Sequence, residues 1–306
     1  MATDRPDVLT LLRQRREGGS RFGQRGDPWK LWLVLESGGQ AGAILGGFVS
    51  ALEALGYRDC FDGVVGSSSG AMTGAYFAAG QARMGTTIYA EDNCDGRFIN
   101  PWRLLIRRPV MDLDYLVDEV MGRVKPLDCG VLQKLDMPVF AVVTRRDGKK
   151  RLLPLHGVSA AHVRANMKAS ARVPLWGSRN LRGHHLWDGC LCEPVPVGSA
   201  VEQGATHVLH LSRHDCPLRP YSRMRWVRHV EDMFYRWHIP GVYQALRARQ
   251  QADVKGVAYM RLFGPQKIGV GCVDKEALWR AIFAAYRHGC VWLGEKEAPL
   301  PPMWRL

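Results

Sequence analysis

The chain has 306 residues, of which 46% are hydrophobic, so it can bury one sizeable core. It carries 42 Lys and Arg against 29 Asp and Glu, and the formal net charge of +13 favours contact with anionic surfaces of any kind. The sequence has no zinc-finger spacing, arginine-rich recognition helix or aromatic RNA-binding signature, so we do not expect nucleic acid as a partner.

Residues 1–28 are polar and rich in arginine and glycine, and they predict a basic, flexible N-terminal arm with a short helix at 8–16. The rest of the chain, 29–306, is expected to form one domain. Its motifs lie between about residues 31 and 213, and a helical extension follows from about residue 219 to 306.

Two strand–turn–helix units open the domain. Residues 31–35 are continuously apolar, which predicts a strand buried on both faces of a parallel sheet, and a helix is predicted at 43–55 after a glycine-rich turn. The unit repeats with a strand at 61–65, a turn at 66–70 and a helix at 71–79. This repetition predicts an α/β fold with a mainly parallel sheet.

The remaining predicted elements alternate in the same way. Further strands are predicted at 137–144, 186–188, 207–212 and 257–263. Further helices are predicted at 113–121, 158–171, 199–204, 224–237, 241–252 and 275–288.

The second turn fits a nucleophile elbow. Gly66-x-Ser68-x-Gly70 stands between a strand and a helix, a setting in which the serine is held in a strained, exposed conformation. The two glycines are needed because a side chain there would collide with the neighbouring strand and helix. The alternative is a serine-rich turn in which Ser67 or Ser69 caps the helix.

The first turn can supply backbone N–H groups to an oxyanion. Gly38, Gly39 and Gln40 lie in a glycine-rich segment next to the expected elbow strand, where no side chain obstructs the donors. A dinucleotide phosphate loop is excluded, because the segment does not give G-x-G-x-x-G and no acidic residue ends the following strand.

A serine nucleophile needs a base. Asp188, followed by Gly189 at a predicted strand end, can reach Ser68 at the carboxyl edge of the sheet. The alternative for Asp188 is an aspartate in a turn before glycine. Histidines that follow it in the sequence could serve instead as the base of an ordinary triad: His207, His210, His214 and His229.

Four ordered motifs resemble the patatin-like phospholipase family. They are the loop after Leu35-Glu36, the elbow, Lys168-Ala169-Ser170-x-x-Val173-Pro174, and Asp188-Gly189. The resemblance implies a three-layer α/β/α fold and a lipid acyl hydrolase that works through an acyl-enzyme, with a Ser-Asp dyad and no catalytic histidine. In this resemblance Ser68 matches the nucleophile and Asp188 the base, and the oxyanion loop corresponds to Gly38, Gly39 and Gln40.

The loop and the aspartate motif depart from the family pattern. Ser37 replaces the first loop glycine, Ala41 replaces the usual Arg or Lys, and Cys190 takes the third position of the Asp-Gly-Gly/Ala motif. The missing charge weakens electrostatic help to an oxyanion or an anionic headgroup. Two alternatives therefore stay open: an acyltransferase or thioesterase that uses the same serine, and a catalytically weak lipid- or partner-binding protein.

We expect neither a metal nor a cofactor, because the only closely spaced cysteines, Cys190 and Cys192, do not form an ordinary zinc site. The N-terminus lacks the apolar core of a secretion signal, and no apolar run approaches the roughly 18 residues that span a bilayer. We therefore expect a cytoplasmic protein whose arm and Arg/Trp-rich segment 224–237 contact anionic membranes peripherally.

Overall fold

The computed structural model describes residues 5–178, 180, 183–213, 233, 235–247, 254, 256–295 and 304. Its strands are β1 (Leu31–Leu35), β2 (Gly63–Ser67), β3 (Val139–Arg145), β4 (Lys150–Pro154), β5 (Leu186–Asp188), β6 (His207–Ser212) and β7 (Ala258–Phe263). In this part of the chain they form one seven-stranded sheet in the order β4-β3-β2-β1-β6-β7, with β5 also paired to β3.

The sheet is mainly parallel, as predicted. Strands β1, β2, β3, β6 and β7 run in one direction, and β4 and β5 are antiparallel to β3. Strand β1 lies between β2 and β6, and all five of its residues are buried. Strand β4 was not predicted from the sequence. It lies at the edge of the sheet and begins with Lys150 and Arg151, so it lacks the apolar run of a central strand.

Helices cover both faces of the sheet. The α-helices are α1 (Val8–Glu17), α2 (Gly42–Ala54), α3 (Ser69–Ala78), α4 (Ala82–Glu91), α5 (Cys129–Lys134), α6 (Ala160–Ser170), α7 (Val197–Glu202), α8 (Pro240–Arg247) and α9 (Lys275–Leu293). A π-helix spans Tyr115–Val124, and 3₁₀ turns occur at Gly39–Ala41, Arg58–Cys60, Pro101–Ile106 and Gly189–Leu191.

Alternate residues of β1 show the three layers. Leu33 and Leu35 belong to a core that includes residues of α2 and α3. Trp32 and Val34 point to the other face, into a core with residues of α7. Since successive side chains of a strand face opposite sides, the sheet lies between two helical layers, and the predicted α/β/α architecture is confirmed.

The C-terminal helices agree with the prediction in part. Helix α9 continues past its predicted end at residue 288 to Leu293, where Gly294 with φ of 102° ends it. Helix α8 covers the start of the predicted 241–252 helix. Most of the predicted helix at 224–237 lies outside the described residues. No described helix is long and apolar enough to cross a bilayer.

The N-terminal arm differs from the prediction. Its helix is present as α1, but over residues 5–28 the chain is packed on the domain rather than flexible. Leu11 and Leu12 of α1 are buried. The buried guanidinium of Arg15 forms ion pairs with Asp27 at 2.7 Å and Asp62 at 2.6 Å. A buried arginine requires such partners, which is why a segment that is basic in sequence is ordered here.

Strand β3 brings two distant parts of the chain together. Ser67, the last residue of β2, pairs with Val142, and Asp188, the last residue of β5, pairs with Val143. Strand β4 occupies the other edge of β3, so β5 takes the place of β2 beyond Val142. The ends of β2 and β5 therefore lie side by side.

Candidate active site

The turn between β2 and α3 has an unusual backbone conformation. Ser68 lies between β2 and α3 with φ of 56° and ψ of −122°, a region that L-residues rarely adopt and that costs about 1–3 kcal/mol. A Cβ at Gly66 would stand 2.4 Å from the backbone nitrogen of Ala71, and a Cβ at Gly70 would stand 2.4 Å from the carbonyl oxygen of Leu35. Both glycines are therefore required by close backbone approach.

Asp188 contacts the elbow serine directly. The Ser68 hydroxyl donates a hydrogen bond of 2.8 Å to Oδ2 of Asp188, whose residue is completely buried. The other carboxylate oxygen accepts the backbone N–H of Cys190 at 2.7 Å, which fixes the orientation of the carboxylate. Gly189 is also constrained, since a Cβ there would come within 2.3 Å of the Val142 carbonyl oxygen.

Two further hydroxyls brace these residues, and sequence reasoning gave neither of them a role. The backbone N–H of Ser68 donates to Oγ of Ser170 at 3.0 Å, and that hydroxyl donates to the Val142 carbonyl at 2.7 Å. The Thr144 hydroxyl donates to the backbone carbonyl of Asp188 at 2.7 Å. Ser170 belongs to one of the motifs noted in the sequence, whereas Thr144 is an unremarkable strand residue.

The glycine-rich loop lies beside the elbow, but its three predicted donors are not equivalent. The backbone N–H of Gln40 donates to the Val270 carbonyl at 2.9 Å, so the protein itself uses this donor. Within the described residues, no hydrogen bond joins the N–H of Gly38 or Gly39 to another residue. Gly39 has φ of 53°, a conformation that favours glycine.

A positive charge reaches the loop from another strand. Arg213, which follows β6, packs on Gly38, where an added Cβ would stand 2.5 Å from Cδ of the arginine. Its Nε donates to buried Glu36 at 2.9 Å and its backbone N–H donates to the same oxygen at 2.6 Å. The sequence has Ala41 where a basic residue was expected, and Arg213 places a guanidinium beside the same loop.

Glu36 is ionised by these neighbours. Burial on its own would raise the pKa of the Glu36 carboxyl, but Nε2 of His210, which lies 3.4 Å from Oε2, and the charge of Arg213 lower this pKa to about 2. The Ser212 hydroxyl also donates to the carboxylate at 3.0 Å. Glu36 therefore anchors Arg213 at the carboxyl edge of the sheet.

A largely apolar cavity of about 50 Å³ opens beside Ser68. Its lining includes Gly39 and Gln40 of the glycine-rich loop and Ser69 of the elbow. The apolar part is lined by Met72, Ile88, Phe98, Met111, Leu116 and Met121. Methionine side chains are unbranched and adaptable, so these walls can adjust to a flexible apolar group.

Two of the four histidines considered as bases have other hydrogen-bond partners. His207 contacts the Pro6 carbonyl at 2.9 Å, and His210 contacts the Tyr259 hydroxyl at 2.7 Å. His214 and His229 lie outside the described residues.

Together, the sheet and the elbow define an α/β protein with a serine–aspartate pair at the carboxyl edge of its strands. The family model for patatin-like phospholipase matches residues 33–201, which is more than half of the chain and includes the elbow, the glycine-rich loop and Asp188. The chain belongs to the patatin-like phospholipase family.

Two individual proteins are also similar to this chain. The uncharacterized protein YjjU of Escherichia coli (strain K12) is 24% identical over 211 residues, which cover 67% of this chain and 57% of YjjU. The chain thus matches only a little over half the length of that relative. The crystal structure of VipD from Legionella pneumophila aligns with a TM-score of 0.42 and 12% identity, over 87% of this chain and 67% of VipD.

Proposed function

We propose that this protein is a serine acyl hydrolase that cleaves lipid acyl esters with Ser68 as nucleophile and Asp188 as base. The observation that carries the proposal is the 2.8 Å hydrogen bond from the Ser68 hydroxyl to the Asp188 carboxylate. The accepting atom of a base must lie within about 2.6–3.2 Å of the heavy atom whose proton it removes, and the Ser68 and Asp188 oxygens meet that condition.

In the first half-reaction Ser68 Oγ attacks the ester carbonyl while its proton passes to Oδ2 of Asp188. The carbonyl oxygen becomes an oxyanion, and the N–H groups of Gly38 and Gly39 are its donors. The bond to the alcohol then breaks, and the alkoxide leaves with the proton from Asp188. The acyl group remains esterified to Ser68.

In the second half-reaction water replaces the alcohol. Asp188 takes a proton from the water as its oxygen attacks the acyl carbonyl, and the same loop holds the second oxyanion. Collapse of this intermediate breaks the bond to Ser68 Oγ, which recovers its proton from Asp188. The free carboxylic acid then leaves, and the apolar cavity is the place for its chain.

Hydrolysis of a short-chain p-nitrophenyl ester tests this function. We expect Ser68→Ala and Asp188→Asn each to lower kcat by at least about a thousandfold, because each removes a group that acts on the reacting atoms. Ser67→Ala and Ser69→Ala are matched controls in the same elbow and should keep most of the activity. Equal losses in all three serine variants would contradict the assignment of Ser68.

A fluorophosphonate probe separates this enzyme from a silent lipid-binding protein of the same family. Labelling of the folded protein that disappears in Ser68→Ala supports an activated serine. The same acyl-enzyme could pass its acyl group to an acceptor other than water, and comparison of product acid with acylated acceptor measures that partition.

A further inference from the structure

An exposed apolar loop projects from the protein next to the cavity. We call residues 100–110 the finger. Its tip is the 3₁₀ turn Pro101–Ile106, in which no residue is buried. The exposed fractions of its apolar side chains are 76% for Trp102, 48% for Leu104, 78% for Leu105 and 65% for Ile106. Burial of such side chains in an apolar phase is favourable, because it removes apolar surface from water.

The finger is held at its base. The backbone N–H of Asn100 donates to the Val110 carbonyl at 2.9 Å, and the N–H of Asp112 donates to the Phe98 carbonyl at 2.9 Å. Arg103 folds back from the tip, and its guanidinium donates to the Arg97 carbonyl at 2.7 Å and to the Phe98 carbonyl at 3.3 Å. The apolar side chains are thus presented outward on a defined support.

Positive charge follows the apolar tip directly. Arg107 and Arg108 are exposed, and within the described residues neither forms an ion pair with an acidic side chain. Tryptophan beside arginine is typical of segments that rest in the interface of a bilayer, where the ring enters the headgroup layer and the cations contact anionic lipid. The net charge of +13 adds attraction to the same surface.

The finger also connects to the cavity. Phe98 and Met111 flank the finger at its two ends, and both residues line the cavity beside Ser68. A surface that binds the tip would therefore lie near the opening through which an acyl chain reaches the serine.

We infer that the finger docks the protein on anionic phospholipid bilayers by inserting Trp102, Leu105 and Ile106 while Arg107 and Arg108 contact the headgroups. This inference rests on the proposed function in one respect, because it takes a membrane lipid as the substrate. It moves the membrane contact away from the N-terminal arm, where Arg15 and Arg25 are already engaged in ion pairs.

Binding to vesicles tests docking without hydrolysis when the Ser68→Ala protein is used throughout. We expect the double variant Trp102→Ser/Leu105→Ser to bind vesicles of phosphatidylcholine and phosphatidylglycerol at least tenfold more weakly than its parent. Arg107→Glu/Arg108→Glu should remove most of the preference for these vesicles over pure phosphatidylcholine. Val291→Ser is the matched control, since Val291 is 63% exposed on α9. It should bind like the parent.

Position in the bilayer provides a second measurement. Bromine-labelled lipids should quench tryptophan fluorescence in the parent and much less in Trp102→Phe. Trp237 is 79% exposed and belongs to the rival segment 224–237. Loss of binding in Trp237→Ser but not in the finger variant would overturn the inference. So would a finger variant that stays folded and binds normally, or one that only abolishes self-association of the protein.

The ester assay keeps the two proposals apart. Finger variants in the Ser68 background should hydrolyse a soluble short-chain ester at the parental rate, and lose activity only on vesicles. A parent that binds vesicles through the finger but hydrolyses no ester would refute the proposed function and leave docking intact. An active esterase that never binds vesicles would refute docking and leave the proposed function intact.

Discussion

The hydroxyl of Ser170 accepts a hydrogen bond of 3.0 Å from the backbone N–H of Ser68 and donates one of 2.7 Å to the Val142 carbonyl. Ser170 thereby ties the strained elbow to strand β3. It touches no reacting atom in the proposed mechanism, so it is a positioning residue.

Ser170→Ala should lower kcat for a short-chain ester about tenfold or more with little change in KM. The buried N–H of Ser68 loses its acceptor, which costs about 1–3 kcal/mol and lets the elbow relax. Ser50→Ala is the control for stability alone, because it removes a buried hydroxyl on helix α2 that is hydrogen-bonded to Thr86 on helix α4. If both variants lose stability but neither loses kcat, Ser170 has no positioning role.

Replacement of single histidines distinguishes a dyad from a triad. In a triad the histidine carries the proton, and its loss costs several powers of ten in rate. If Asp188 is the base, replacement by alanine at positions 184, 185, 207, 210, 214 and 229 should each leave kcat/KM within about tenfold of the parent. One folded histidine variant as inactive as Asp188→Asn would establish a triad instead.

Alanine at the elbow glycines should be severely destabilising. In Gly70→Ala the new methyl group meets the Leu35 carbonyl oxygen at 2.4 Å, and neither backbone segment can move freely. We expect a loss of about 3 kcal/mol or no folded protein. Gly271→Ala is the control, because no atom lies within 4 Å of the added group. Its urea unfolding midpoint should stay close to the parent value.

The pH dependence of stability should contain a contribution from Glu36. Its pKa is about 2 in the folded protein against an ordinary value of 4.5. A lowered pKa stabilises the fold above pH 4.5, and this stabilisation, on the order of 3 kcal/mol, is lost as the pH falls toward 2. Urea unfolding between pH 7 and pH 3 should show a shallower decline for Glu36→Gln. The exposed Glu17→Gln controls for removal of a carboxylate.

The packed N-terminal segment gives a prediction that a flexible arm would not. Arg15→Met leaves the carboxylate of Asp27 without its arginine partner and removes one of two arginines from Asp62. Removing one partner of a buried pair costs about 3 kcal/mol. Arg21→Met, at an exposed position, should change the free energy of unfolding by less than about 0.5 kcal/mol. Equal changes in the free energy of unfolding for the two variants would mean that the ion pairs of Arg15 do not stabilise the fold.

Local patterns were sufficient for much of the architecture. A continuous apolar run predicted β1, and the glycines on either side of Ser68 predicted the turn between β2 and α3. The sequence patterns that predict these features lie within a few residues of one another. Strand β4 could not be predicted in this way, because an edge strand needs no apolar run.

The contacts that complete the candidate site join positions far apart in the sequence. Ser170 reaches Ser68 across 102 residues. Val270 reaches the N–H of Gln40 from the segment after β7, and Arg213 reaches Gly38 from the end of β6. A single sequence does not indicate which strand ends meet. The hydrogen bond that occupies the N–H of Gln40 and the guanidinium of Arg213 beside the loop therefore could not be predicted.

The pairing of β3 has a consequence for how the spacing of Ser68 and Asp188 is maintained. Ser67, the neighbour of Ser68, pairs with Val142, and Asp188 pairs with the next residue of β3, Val143. Ser68 and Asp188 are nevertheless 120 positions apart in the chain. Adjacent positions on a strand differ by about 3.3 Å, and a slip of one residue turns every side chain to the opposite face. Movements of the surface loops therefore leave the spacing unchanged, whereas one residue inserted between Val142 and Val143 would separate nucleophile from base while sparing most of the sheet.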